Sequence, residues 1–312
     1  MLKAGLIAFG GGLLSAVASI APVLGASGGV VFAYLAPLPL LMVGFGLGAA
    51  QALIAAASGI VVVAMVAGVA AAGVYGGMHA LPSWLIVQQA LRNGAGDQRA
   101  AASLAGTILC RLALIGAGLA LAAAVALVGD DGVEASVREL LATAAAAAVP
   151  GLADVDRDTF VGLLAPLFIG MSGFTWLLML VVNSTLAQGM LTRRGRALRP
   201  SPQWSALVLP EWMSWPLVAT AVVALVSAGD VGYMARNLAL IFAGPYFFLG
   251  LAVVHSLVRR TQRRGLLLAT FYVTLALFFT FVGVAVAALG MIEQWAGVRR
   301  RLVGPGAGRG SE

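Results

Sequence analysis

A serine flanked by glycines in the run Gly170-Met171-Ser172-Gly173, with His255 two apolar runs later, is the pair of residues in this chain with the sharpest chemical meaning. A serine in such a setting with a histidine base is the minimal constellation of an intramembrane serine protease. The imidazole would take the hydroxyl proton as the oxygen attacks a peptide carbonyl. That chemistry requires hydrogen-bond contact. Ser172 lies about 13 residues into its span and His255 about 24 into its own, and both spans run in the same direction, so at 1.5 Å per residue their depths differ by roughly 16 Å. The region after His255 also lacks glycines that would let helices close around a catalytic ring. The expectation is a protein that is not an enzyme.

Other chemistries are limited by residue type. An ion-coupled carrier wants carboxylates buried in its spans, but Glu211, Asp230 and Glu293 all fall at span ends. One cysteine, Cys110, with two histidines can form neither a disulfide nor a structural zinc site, so no metal and no cofactor are expected. Inside or near the apolar runs remain Gln51, Arg111, Asn183, Arg236, Asn237 and His255. This neutral-to-cationic set could hydrogen-bond an uncharged or anionic small molecule, or tie helices to one another. Both readings stay open. Arg111 must snorkel or pair at its depth, and His79, just ahead of Leu81-Pro82-Ser83-Trp84, reads as a solvated interfacial residue.

The elements that would carry these residues follow from composition. Of 312 residues, 61% are hydrophobic and 10% charged, against about 25% charged in soluble domains. The chain therefore reads as an all-α, polytopic transmembrane bundle of about 8–9 spans over residues 1–292, with the lipid bilayer as its solvent. Residues 293–312 read as a basic, disordered tail. The net charge of +7 is spread in short clusters between apolar runs. That pattern belongs to cytoplasmic loops, placed at 92–99, 193–199 and 259–264, and not to a nucleic-acid-binding face.

Along the chain, spans are expected at 4–24, 30–48, 51–72, 74–91, 103–128 and 159–187, then from Leu209 to near Gly229-Asp230, within the stretch Asp230–Arg264, and last as a single crossing at 266–291. The first resembles a signal peptide with a candidate cleavage point at Leu24-Gly25-Ala26, but a retained helix is the simpler reading. Its Ala4, Ala8, Gly12 and Ala16 form a small-residue stripe on which another helix can dock. Pro37 and Pro39 should leave the second span short or partly unwound. Residues 129–158 are acid-rich and read as an outer amphipathic helix, with Val133, Val137, Leu140, Leu141 and Ala144 on one face. An Asp131/Glu134 capping box should open it and Pro150-Gly151 close it. Trp204, Trp212 and Trp215 form an aromatic belt, and Gly244-Pro245 interrupts the stretch Asp230–Arg264. A single last crossing places the tail arginines opposite the loop 259–264, in conflict with the charge rule; the three basic loops decide the orientation.

The segments LAPLPLL (35–41), LPEWMSWP (209–216), RNLALIFAGPYFFLGLAVVHSLVRR (236–260) and LGMIEQWAGVRRR (289–301) resemble the YybS-like family of uncharacterised bacterial membrane proteins, a domain of unknown function. The resemblance implies the bacterial inner membrane. It further implies a remote likeness to the S components of energy-coupling-factor transporters, in which a small-residue stripe on the first helix docks a transmembrane coupling subunit. On that likeness the chain is a non-enzymatic, small-molecule-binding subunit of an ATP-driven transport system, with a coupling subunit and ABC-type ATPases as partners. It would have a polar cavity walled by Arg236, Asn237 and Arg111 or Gln51. The same broad group contains cell-shape proteins resembling MreD, which implies the alternative of a structural or assembly protein with a dry interior.

Overall fold

The computed structural model describes residues 2–92, 98–148, 154–259 and 261–302. The described residues are helical, without strands, and seven helical stretches are long and apolar enough to cross a membrane. Glu211–Val226 and Arg264–Leu277 are shorter apolar stretches. The chain forms two compact units, one of residues 1–108 with 175–202, the other of 109–174 with 203–312. The tail beyond residue 302, the Pro150-Gly151 stop and most of the basic loop 92–99 lie outside the described residues.

The first unit contains α1 (Leu2–Ile20), α2 (Gly29–Tyr34), α3 (Pro37–Leu47), α4 (Ala49–Tyr75), a π-helical turn (Gly76–Ala80) and α5 (Leu81–Arg92). It also takes the start of α6 (Gln98–Leu127) and most of α9 (Phe168–Arg193). Leu35 and Ala36 separate α2 from α3, and Pro37 opens α3, where its missing N–H is no loss. The partly unwound span expected from the prolines is therefore present.

α1 lies on α4 through its small residues. Ala8, Gly12 and Ala16 are buried, and a Cβ on Gly12 would strike the Ala55 carbonyl and the Ser58 hydroxyl. At Gly68 the backbone takes φ 88° and ψ 170°, which an L side chain resists. The chain doubles back there, since a Cβ on Gly59 would strike the Tyr75 hydroxyl, a contact no straight helix allows over that separation. Two arms thus stand where two spans were expected, turning at Gly68 instead of between residues 72 and 74. At one end of the unit, Arg199 Nη2 donates to the Leu91 carbonyl (3.1 Å), bringing the basic loop 193–199 to the end of α5.

The second unit is built on α11 (Gly229–Val258), which runs as one helix through Pro245 and is the most buried span. Around it are the rest of α6, α7 (Val133–Ala148), α8 (Asp154–Leu164), a 3-10 turn (Ala165–Leu167) and the start of α9. α10 (Ser214–Val226), α12 (Arg264–Leu277), α13 (Phe279–Ala296) and α14 (Val298–Leu302) complete the unit. Glycines set the closest approaches, as expected where lipid gives helices no hydrophobic reason to pair. A Cβ on Gly250 would strike the Val286 carbonyl, and one on Gly290 the Tyr246 carbonyl, so α11 and α13 cross backbone to backbone.

Two expectations are corrected in this unit. The single crossing 266–291 is two helices, because Phe278 leaves the helical region (φ −121°, ψ 41°) and separates α12 from α13. The amphipathic helix is present as α7 with Val133, Val137 and Leu141 buried, but Leu140 and Ala144 are not among its buried residues. Its first turn takes its carboxylate from α11: Asp230 Oδ1 accepts the Val133 N–H at 2.9 Å, in place of a cap by Asp131.

Candidate functional site

Of the residues singled out in the second unit, Asn237 binds backbone, while Arg236 and His255 meet side chains. Asn237, fully buried on α11, accepts the Gly170 N–H at 2.7 Å and donates to the carbonyls of Pro166 (3.1 Å) and Tyr233 (2.8 Å). The hydroxyl of Tyr233 donates to the Ala165 carbonyl (2.9 Å), which also accepts the Phe168 N–H, so α11 reaches two carbonyls of the 3-10 turn. Gly170 and Gly173 are there because α11 is so near: added Cβ atoms would meet Asn237 backbone and the Ile241 side chain. Arg236, part-exposed, faces Glu134 across 3.8 Å, and Glu134 also pairs with Arg138 at 2.9 Å.

Ser172 is exposed, and the His255 ring bonds the Tyr272 hydroxyl at 2.7 Å. Arg111 is exposed on α6 beside buried Cys110. An open, apolar cavity of about 460 Å³ lies along α10 and α11, lined by Thr220, Val223, Asp230, Val231, Met234 and Leu238. Neither Arg236 nor Asn237 lines it.

The first unit holds a different arrangement. Ser15 Oγ donates to the Ala36 carbonyl (2.6 Å) and accepts from the Tyr75 hydroxyl (2.8 Å). Asn183 Nδ2 donates to the Tyr34 carbonyl (2.8 Å) and to the Met179 carbonyl in its own helix. The break between α2 and α3 is thus held from both sides, by Ser15 of α1 and Asn183 of α9. The Tyr75 ring contacts His79 in the π turn, with centroids 5.7 Å apart. Contacts therefore run without a gap from His79 through Tyr75 and Ser15 to the break, and from the break to Asn183.

Three side chains of the first unit are buried with a polar atom left over. His79 is 9% exposed, Ser83 1% and Asn183 0%, and His79 Nδ1, Ser83 Oγ and Asn183 Oδ1 have no hydrogen-bond partner. Gln51 Oε1, at the start of α4, is in the same condition. Such an atom costs about 1–3 kcal/mol when unpaired, so each calls for an explanation.

Ser83 and Asn183 belong to one layer. Trp176 Nε1 donates to the Met78 carbonyl (2.8 Å), while α3 touches both Val87, through Gly44, and Leu191, through Gly46. α5 and α9 therefore run in the same direction, with Ser83 and Asn183 between those two levels. Of these residues, Asn183 was legible as a candidate. Ser15, Tyr75 and Ser83 were not, because a hydroxyl in an apolar run carries no sign of what it faces. His79 is buried and not at a solvated interface.

In the stripe Ala4, Ala8, Gly12 and Ala16, Gly12 meets α4, Ala8 and Ala16 are buried, and Ala4 is part-exposed. Among the described residues no group of histidine, cysteine, aspartate or glutamate is arranged to hold a metal.

No curated protein and no solved structure matches the chain. The family described as "Predicted membrane protein (DUF2232)" has a model that matches residues 13–293, from α1 through α13, and the chain belongs to that family.

Proposed function

We propose that this protein is a non-enzymatic, multi-pass protein of the bacterial inner membrane that binds a small molecule within its first unit and serves an ATP-driven transport system as its binding subunit. The observation that carries the reading is that His79, Ser83 and Asn183 of the first unit are buried with a polar atom left unpaired, Asn183 directly beside the break between α2 and α3. Irregular backbone at membrane depth is tolerated where it is buried in protein or lines a cavity, and transporters place binding sites at interrupted helices. The site is thereby moved away from Arg236 and Asn237, which bind the protein's own groups.

Non-enzymatic action is supported by Ser172 and His255, whose surroundings differ: one is exposed and the other bonds Tyr272. The basic ends of the two units are assigned to the cytoplasm by their arginines. α7, with its acidic residues, meets α11 near Asp230, far along that helix from Arg259, and is assigned to the outer side.

A second reading, a structural or assembly protein of the cell envelope, is favoured by Asn237. Every one of its bonds is to backbone, as in a dry interior held by polar glue. Purification from native membranes in mild detergent, with mass spectrometry of stoichiometric partners, separates the two. The transport reading predicts ABC-type ATPases and a membrane coupling subunit. Cell-envelope assembly proteins without ATPases would replace it with the second reading.

A further inference from the structure

We propose that the arginine end of the second unit, where α11 passes into α12 and α13 into α14, is a docking surface for the phosphate headgroups of anionic phospholipids. It does not depend on small-molecule binding in the first unit. Folding gathers its residues from two distant segments. Arg259 Nη1 bonds the Ser205 hydroxyl (3.4 Å) and Arg299 Nη1 the Ser205 carbonyl (2.8 Å), so the two arginines stand at one serine. Arg263 and Arg264 follow Arg259 through a tight turn, closed by the Thr261 N–H on the Val258 carbonyl (3.0 Å). Arg301 follows Arg299 within the short α14, its N–H on the Gly297 carbonyl (3.2 Å).

Charge sets the chemistry of the partner. Among the described side chains this end carries Arg259, Arg263, Arg264, Arg299 and Arg301 against two carboxylates, Glu293 and Glu211. Arg299 occupies Glu293 at 2.8 Å. Arg263, Arg264 and Arg301 are exposed and have no carboxylate partner among the described residues. Like charges held at one end repel, and an anion placed among them offsets that repulsion. Phosphate suits guanidinium in particular, because the planar fork of N–H donors can bind two of its oxygens.

Depth decides where the phosphate comes from. Leu257, Leu266 and Trp295 are exposed, and each lies within about one helical turn of Arg259, Arg264 or Arg299. On a membrane-spanning bundle, exposed leucines at a span end face acyl chains, and an exposed tryptophan marks the interface. The guanidinium groups therefore stand at headgroup level. Arginines clustered directly beside a span attract anionic lipids.

The test places the full-length protein in detergent micelles with equimolar phosphatidylglycerol and phosphatidylcholine of the same acyl chains, and native mass spectrometry counts the lipids retained. Phosphatidylglycerol is expected to be retained about tenfold over phosphatidylcholine, and the preference to fall to near unity in Arg263→Gln/Arg264→Gln/Arg301→Gln. That variant leaves the Ser205 bonds and the Arg299–Glu293 pair in place, so it should melt at the wild-type temperature without added lipid. Arg193→Gln/Arg194→Gln/Arg196→Gln removes the same charge from the first unit and should keep the preference. Equal loss in both variants would reduce the effect to net charge and overturn the surface. A preference untouched by the first variant would overturn it too. Displacement of the lipid by millimolar inorganic phosphate would assign the arginines to a soluble anion instead. No preference in the wild type would overturn the lipid surface and leave these arginines to an acidic protein.

Discussion

Arg259 and Arg299 meet at one residue: Arg259 Nη1 donates to the Ser205 hydroxyl (3.4 Å) and Arg299 Nη1 to the Ser205 carbonyl (2.8 Å). The C-terminal ends of α11 and α13 therefore lie together, and α12 must return the chain between them. The arginines after α13 share an end with the loop 259–264, and the conflict between span count and charge disappears. In a Cys110→Ser background, cysteines placed at Arg263 and at Arg301 are expected to react with an impermeant thiol reagent from the same side of sealed vesicles. Reaction from opposite sides would restore the single crossing.

Arg299 is also a staple. Its Nε and backbone N–H bind the two oxygens of Glu293 (2.8 and 2.9 Å), and Nη2 donates to the Leu207 carbonyl (2.7 Å). Glu293 is 8% exposed and the Arg299 side chain 17%, so removing one partner leaves a largely buried charge alone. Arg299→Ala is expected to cost about 3–5 kcal/mol. Arg299→Lys should recover little of it, because an ammonium cannot reproduce the planar fork. Thermal unfolding of the purified variants measures both.

Asn237 predicts an asymmetry between two replacements. Asn237→Leu orphans the Gly170 N–H and takes a donor from the Pro166 carbonyl, while the Tyr233 carbonyl keeps its helical partner, with an expected loss of about 1–3 kcal/mol for each buried group left unpaired. Asn237→Asp keeps the acceptor for Gly170 but sets a carboxyl against two carbonyls. It should be at least as damaging as Asn237→Leu. An Asn237→Asp variant that melts at the wild-type temperature would remove the role assigned to this amide.

Gly59 makes room for the Tyr75 hydroxyl. Gly59→Ala should therefore push Tyr75 off Ser15 and cost about 1–3 kcal/mol by overpacking. Tyr75→Phe in the same chain should return part of that cost, and a double-mutant cycle reads the coupling. Strict additivity would mean that the hydroxyl is not the obstacle.

Much of this architecture was legible from the pattern of apolar runs, and the parts that were not share a cause. Pro37 announces the break between α2 and α3 because proline has no N–H to give. Nothing of the kind marks Phe278, where an apolar run continues through the break and only tertiary packing turns the chain. The turn at Gly68 was hidden by the abundance of glycines, most of which serve close packing. Asn183 and Asn237 look alike in sequence, each a lone amide in a span. Their neighbours differ: Asn237 has every polar group paired, while Asn183 keeps one oxygen free.

The most direct test of small-molecule binding in the first unit is an experimental density map of the protein purified from native membranes in mild detergent, inspected beside His79 Nδ1, Ser83 Oγ and Asn183 Oδ1. A bound small molecule predicts non-protein density larger than a water molecule within hydrogen-bond distance of Ser83 or Asn183. Those atoms closed onto protein partners, or bridged by a single water, would contradict it.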